Sequence, residues 1–461
     1  MAKKKNLRIV KKQELKKLLN QKIASRTVVD TDESISSDIE KFGETPLLNR
    51  ADVFSKNNIQ KNRVGTPMAG EERKQQLIRM VEGWNSMKNV DDFCVVLNIA
   101  WQVMYGLDAA KTSVDKLKRL VRKGRYVTFK IPKKKKGEFR TIDAPCYELK
   151  SVQQALNFVL QEIYTPNVAA MGFVRGKSVV TNAKMHLCQN FVYNIDLKDF
   201  FPSITSGRLF KRLLVTPFNL KQEIAGLIGD LCCHKKGDHK VLPQGAPTSP
   251  TITNIICEKL DYKLSRLAKA YGLKYTRYAD DITFSGMKNV FAEDGKFCVS
   301  MRNIIEKEEG FKINTEKTRL CHRRMRQEVT GLTVNSKINV SRKYIKQLRP
   351  LLHNWEQKGY AEAQSIFAKH YSENNIKYLK FKGEHRIEKI ILGKLMYLKM
   401  VKGESDSTYK SFSKQFEKLC IDTFGENGWK SRNFLTTSCG DGNILSVLDE
   451  LANLIEKNTY E

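Results

Sequence analysis

An α+β fold is what this sequence predicts, and three observations carry the prediction. Between residues 125 and 340, short stretches of alternating apolar residues are separated by Gly, Pro and Asp turns. Before and after that window, apolar residues recur every three or four positions, the helical period. Within it, YTRYADDITF (275–284) sets two carboxylates, Asp280 and Asp281, side by side between aromatic and apolar residues that read as strands bound for a core. Adjacent carboxylates repel, and burying either one uncompensated is costly.

The elements follow in order. Residues 1–20 read as a short basic helix, and the polar stretch 28–70, with acidic DTDE and later Asn, Gly and Pro, as a tether or poorly ordered arm. Helical spacing begins near Glu71, with Leu77, Met80 and Val81, then Phe93, Val96 and Leu97. YVTFKIP (126–132) alternates like a strand, KKKKG (133–137) is a basic turn, and EFRTIDAP (138–145) is the returning strand. Helices are predicted over 147–163, 206–214, 220–232, 248–270 and 291–309, with strands at 190–196, on both sides of Asp280–Asp281 and at 311–314, and a hairpin over 327–340. Beyond Ser341 the pattern is helical, over 342–357, 360–370, 386–401 and 408–421. LSVLDELANLIEK, near the end, has the spacing of an amphipathic helix.

Charge narrows the function. Lys and Arg number 81 against 50 Asp and Glu, a formal net charge of +31, which favours a polyanionic partner, nucleic acid above all. No apolar run approaches the roughly 18 residues of a spanning helix, and no amphipathic anchor accompanies the charge, so no membrane partner is expected. The basic start MAKKKNLRIVKKQELKK has no apolar stretch behind it and does not read as a signal peptide; the expected compartment is the cytoplasm. Ten cysteines are scattered without a framework and read as reduced packing residues. Cys232, Cys233, His234 and His239 match no zinc-finger spacing.

Paired carboxylates become favourable when a divalent cation opposes them, and phosphoryl transfer by two metals needs ligands from different chain segments. The pair therefore calls for another aspartate at another strand end. NFVYNIDLKDFFPSI supplies Asp196. Read alone, Asp196 is a helix cap and YADD a hairpin turn. Between them, LPQGAPTSP (242–250) is a Pro/Gly-bracketed loop opening a helix, suited to presenting backbone N–H groups and Gln244 to a nucleotide. GFKINTEKT (310–318) and EVTGLTVN (328–335) follow.

The order of these motifs resembles the reverse transcriptases, over residues 125–345 and more weakly to 421. YADD resembles their catalytic hairpin; DLKDFF, PQGAPTSP, NTEKT and VTGL resemble the successive palm motifs, and FRTIDAP with LKSVQQ the fingers. The resemblance implies a right-hand polymerase with fingers, a ferredoxin-like palm and a helical thumb. It divides the chain into a basic and polar N-terminal extension (1–70), fingers with N-terminal helices (71–190), a palm including the primer-grip hairpin (191–340), a thumb (341–424) and a C-terminal extension (425–461). It implies two Mg²⁺ ions, with Mn²⁺ a possible substitute, held by Asp196, Asp280 and Asp281 with the Leu197 backbone carbonyl as a further ligand. Lys317 matches a general acid toward pyrophosphate. Arg140, Phe201, Gln244 and Gly245 match the nucleotide-binding positions, Phe201 as the ring that excludes a 2′-hydroxyl; Lys133 to Lys136 suit phosphate or the template backbone equally. Thr330 and Gly331 match the primer grip. Arg342, Lys343, Lys346 and Arg349 give the thumb a basic face toward a duplex backbone.

TNAKMH (181–186) and VTG (329–331) resemble, more narrowly, the bacterial retron type, which implies retron-type RNA recognition for Asn182 and His186. It further implies a cognate noncoding RNA (msr-msd) as template and 2′-hydroxyl primer, dNTPs, a branched msDNA product, and an effector protein in antiphage defence. The rivals are another prokaryotic reverse transcriptase, of group II intron, diversity-generating or other defence type, a non-catalytic RNA-binding palm, and a cyclase-like palm. The absence of a maturase or endonuclease signature after 421 weighs against the intron type.

Overall fold

This computed structural model describes residues 70–106, 112–121, 125–132, 137–374 and 386–432. Lys133 to Lys136, most of the N-terminal extension and the stretch LSVLDELANLIEK lie outside the described residues. The chain packs as two compact units.

One unit comprises residues up to Arg125, Tyr147–Ile163 and Leu213–Leu231, and its described elements are helices. Gly70–Ser86 buries Leu77, Met80, Val81 and Trp84. Val90–Tyr105 starts where the Asn89 side chain accepts from the Asp92 N–H, and it buries Phe93, Val96, Leu97 and Trp101. The Asn98 amide brackets Thr112, accepting from its N–H at 2.6 Å and donating to its carbonyl at 3.1 Å. The Gln153 side chain donates to the Leu231 carbonyl at 2.7 Å, tying the Tyr147–Ile163 helix to the Gln222–Cys232 helix.

The other unit comprises Tyr126–Cys146, Tyr164–Arg212 and the chain from Cys232 onward. Its first hairpin pairs β1 (Tyr126–Pro132) with β2 (Phe139–Pro145). After the Val179–Met185 helix comes β3 (Phe191–Lys198), then a short hairpin of β4 (His234–Lys236) and β5 (His239–Val241). Of KKGD, read from the sequence as an exposed loop, Lys235 and Lys236 lie in β4 and only Gly237 and Asp238 form the turn of that hairpin. Cys232 and Cys233 pack in the core and His234 stacks on Tyr126 at 4.7 Å, while none of the described cysteines is in a disulfide.

Strands β6 (Lys274–Tyr278), β7 (Asp281–Gly286) and β8 (Lys312–His322) complete an antiparallel sheet in the order β6-β7-β3-β8. Helices Ser249–Ile256 and Glu258–Ala270 cross over between β3 and β6, and helix Lys296–Arg302 with its π-helical extension Asn303–Glu308 crosses between β7 and β8. This split arrangement of two interlocked crossovers is the ferredoxin-like topology. β8 runs well past the short strand read at 311–314, because TRLCH continues to alternate and pairs along β3 as far as Phe191.

Two-residue strands β9 (Glu328–Val329) and β10 (Leu332–Thr333) then lead into three helical stretches. Arg342–Asn374 breaks at Gly359, where φ is 75°, as the two separate helical stretches in the sequence predict. Ile387–Lys402 and Ser407–Arg432 pack on it around Leu352, Trp355, Leu395, Leu398 and Phe416. Trp355 also donates its ring N–H to the Thr423 hydroxyl at 3.1 Å. Val329 and Leu332 belong to the same apolar cluster, so the β9–β10 turn is rooted in the helical core. No described helix is long and apolar enough to cross a membrane.

Candidate active site

The site forms where β3 meets the β6–β7 turn. Asp196 on β3 pairs directly with Asp281, the first residue of β7. The Leu197 N–H donates to the Asp280 carbonyl at 3.0 Å, drawing the turn against the strand. Three carboxylates thus come from two segments, as the chemistry of a divalent centre requires.

β8 supplies the other side. Asn314 lies opposite Asp196, and its side-chain amide donates to Asp196 Oδ2 at 3.0 Å. The β3–β8 register slips between Asn194, which faces Arg319, and Asp196, which faces Asn314. Residues 315–318 therefore bulge opposite the single residue Ile195, and such bulges re-aim side chains. Lys317 in this bulge sets its Nζ 3.0 and 3.1 Å from the two Asp196 oxygens. Its side chain is 63% exposed, so it is free to swing.

Electrostatics set the acids apart from ordinary surface carboxylates. Burial, then the charge of Asp196, pushes the Asp280 carboxyl up, while Arg140 and Lys317 pull it down. Desolvation, then the charges of Asp280 and Asp196, pushes Asp281 up as well. The Asp281 side chain nevertheless keeps one face open to solvent, so water screens part of that effect. Acids that resist ionising together mark a local deficit of positive charge. Among the described residues no group of three or more acidic, His or Cys side chains stands in a metal-holding array. Carboxylate oxygens are nonetheless the hard donors Mg²⁺ takes, together with waters and substrate phosphates.

The PQG loop docks on β2. The Asp143 N–H donates to the Gln244 carbonyl at 2.9 Å. Gly245 has φ 132°, and a Cβ there would lie 3.0 Å from the Asp143 carbonyl oxygen, so only glycine lets the loop approach this closely. Ser249 closes the loop by donating to the Pro243 carbonyl at 2.7 Å. Gln244 is thereby tied to the strand that carries Arg140. Phe200 and Phe201 diverge: Phe200 is buried against Phe311, with ring centroids 5.6 Å apart, while Phe201 stays half-buried with Phe173 at 6.4 Å.

Thr330 and Gly331 form the β9–β10 turn, both with positive φ, 47° and 81°. Asn182 and His186 lie beneath it at 1% and 0% exposure. Their polar atoms are committed to the protein. His186 Nε2 lies 2.7 Å from the Thr276 hydroxyl and Nδ1 2.7 Å from the Ser285 hydroxyl, and the Thr276 hydroxyl donates to Asn182 Oδ1 at 2.6 Å. The Asn182 amide reaches the Thr330 hydroxyl at 3.5 Å. The retron-type RNA recognition that the resemblance implies for both therefore falls on buried side chains.

Sequence reasoning missed the bond of Asn314 to Asp196, and it missed Arg277, Asp261, Asn254 and Gly172, which hold the aspartate turn. The available signal was Arg277 itself, a charged residue inside a strand whose neighbours Tyr275 and Thr276 are core-bound.

Residues 131–381, more than half the chain, match the family "Reverse transcriptase (RNA-dependent DNA polymerase)". The chain belongs to that family, and its fold is the α+β right hand. Within the family it is of the bacterial retron type. It is 38% identical over 240 residues to the retron Mx65 reverse transcriptase of Myxococcus xanthus, covering 50% of this chain and 55% of that protein. It is 36% identical over 254 residues to the retron Ec86 reverse transcriptase of Escherichia coli, covering 53% of this chain and 75% of that protein. The chain thus spans about half the length of the Myxococcus relative.

Proposed function

We propose that this chain is an RNA-directed DNA polymerase that copies a cognate structured noncoding RNA (msr-msd), priming from an internal 2′-hydroxyl to make branched msDNA from dNTPs. The observation that carries the reading is the meeting of Asp196, Asp280 and Asp281 at one strand end, within the reverse transcriptase domain. When bound, two Mg²⁺ ions on these carboxylates, with the Leu197 carbonyl as a further ligand, would supply Lewis-acid charge for primer hydroxyl ionisation and pyrophosphate departure. Lys317, already within hydrogen-bond reach of the site, swings to donate a proton to the leaving pyrophosphate. Arg140 forks onto the triphosphate. Gln244 and Gly245 support the base and sugar, and the half-buried Phe201 ring excludes a 2′-hydroxyl.

The Thr330–Gly331 turn grips the primer end. Asn182 and His186 serve RNA recognition by holding that turn, in keeping with their burial. The basic face of the Arg342–Asn374 helix follows the duplex backbone. In cells the polymerase works in the cytoplasm with an effector protein in antiphage defence, the setting that the retron-type resemblance of TNAKMH and VTG implies.

The test is to express the chain with its native upstream flanking DNA and extract short DNA. A species that shifts after both RNase and debranching treatment, and vanishes in Asp280→Ala/Asp281→Ala, is the expected result. Mg²⁺-dependent extension of an added primed RNA with no branched product would keep the polymerase and sink the retron product. Silence in both assays would leave RNA binding without catalysis.

A further inference from the structure

We propose that Arg277 is a positioning residue for the metal-binding turn, acting as an internal clamp that sets the Ala279–Asp280 peptide. The proposal rests on the polymerase reading above but concerns residues that reading does not use.

Arg277 is fully buried, at 0% exposure, and so is its partner Asp261 on the Glu258–Ala270 helix. Its guanidinium places Nε 2.8 Å from Asp261 Oδ1 and Nη2 2.7 Å from Asp261 Oδ2, a two-pronged pair. Nη2 also donates to the Asn254 side-chain oxygen at 3.0 Å. Nη1 is aimed elsewhere, at the Ala279 carbonyl 3.1 Å away. That carbonyl belongs to the peptide that leads into Asp280.

Ala279 has φ 57°, in the left-handed region that costs an L-residue energy unless its surroundings impose it. Those surroundings are visible. On one side is the Nη1 donor. On the other, Gly172 comes so close that a Cβ there would lie 2.7 Å from the Ala279 nitrogen. The Gly172 segment is fixed in turn: Asn254 donates to the Gly172 carbonyl at 3.0 Å, the Met171 N–H to the Arg277 carbonyl at 2.8 Å, and the Arg277 N–H to the Ala169 carbonyl at 2.9 Å. One guanidinium, one glycine backbone and one asparagine thus hold the turn from both sides.

A buried ion pair is a poor device for stability alone, since apolar replacements of both partners are often neutral or better. Its use here is directional. The charged fork fixes where one carbonyl points, and with it where the Asp280 carboxyl is presented next to Asp196. Small errors of placement are expensive in catalysis.

The experiment uses the full chain, poly(rA) primed with oligo(dT), dTTP and Mg²⁺, and compares wild type with Arg277→Met/Asp261→Leu and with Gly172→Ala. The double substitution leaves no lone buried charge but orphans the Tyr275 hydroxyl, which donates to Asp261 Oδ1 at 2.8 Å, so its Tm falls by several degrees while the fold holds. Its kcat falls by about 30- to 100-fold, with KM for dTTP changed less than about threefold. Its affinity for Mn²⁺, read by water-proton relaxation, falls with kcat. Gly172→Ala keeps the ion pair intact and loses about tenfold in kcat through displacement of the Ala279 backbone. A folded double variant with wild-type kcat, whatever its Tm, overturns the clamp and leaves a purely structural pair. If the double variant does not fold, Gly172→Ala decides: full kcat there overturns the proposal. If the wild-type chain fails to extend the primer, the polymerase reading fails. The clamp is then judged on Mn²⁺ affinity alone, and equal affinity in the folded variant and wild type overturns it.

Discussion

Asp196 faces Asp281 directly across the β3–β7 ladder, while Lys317 on the far strand rests on both Asp196 oxygens. Among the described residues, Lys317 and Arg140 both draw the Asp280 carboxyl down, against the burial and the Asp196 charge that push it up. Function and stability pull in opposite directions at such a place.

Asp280→Asn removes a charge that burial and Asp196 both oppose. Activity on primed RNA is expected to fall at least about 10³-fold, as befits loss of a metal ligand. Thermal stability in EDTA is expected to hold or rise, because a penalised carboxylate has gone. Added Mg²⁺ should raise Tm for wild type and not for the variant, since only a bound ion shifts the folding equilibrium. Parallel melting curves with and without Mg²⁺ check this.

Lys317→Ala separates a structural ion pair from a proton donor. The side chain is largely exposed, and exposed pairs contribute about 0–1 kcal/mol, so Tm is expected to move little. The expected loss in kcat is about 10²- to 10³-fold, in the range of a general acid. Single-turnover incorporation, compared with Lys317→Arg, is the measurement. Full activity in the alanine variant would remove Lys317 from the chemistry.

His186 is held neutral: burial, and secondarily Lys274, depresses its pKa to about 3. An imidazole whose folded value lies below its unfolded value near 6.5 leaves the unfolded chain holding more protons at intermediate pH. Its contribution to stability is therefore complete above pH 6.5 and is lost as pH falls from there toward 3. By pH 5 the loss is about 2 kcal/mol. Denaturant midpoints at pH 7 and pH 5 should show it, and His186→Asn should flatten that part of the pH dependence while lowering stability at pH 7.

Arg342, Lys346 and Arg349 are exposed and spaced four and three apart on one helix. Replacing all three with Ala should weaken primer–template binding and reduce the slope of log affinity against log salt by about 2 to 3. Fluorescence anisotropy across a salt series measures both, with single-nucleotide kcat at saturating duplex left near wild type.

Much was legible in the one-dimensional pattern. YTRYADDITF reads as strand, turn and strand because its apolar residues alternate up to and away from the acids, and β6 and β7 follow suit. NFVYNID reads as a strand ending on Asp196, and the break in helical spacing near Gly359 appears as a true kink. The Val179–Met185 helix was harder to see, since its seven residues owe their start to the reciprocal capping of Ser178 and Thr181. The burial of His186 was not legible, because its polar partners Thr276 and Ser285 lie on strands distant in sequence.

What the sequence determined by itself is the set of groups: three aspartates at strand ends, a lysine downstream, a glycine loop between them and an excess of positive charge. Alternation and turn chemistry act over a few residues, so they are written locally. Tertiary structure decided which of those groups meet. The β3–β8 slip that swings Lys317 onto Asp196, the burial of Asn182 and His186, and the Arg277–Asp261 clamp all depend on which strands become neighbours and in what register. A buried polar atom must find its partner wherever the fold provides one, and that partner is chosen by long-range packing.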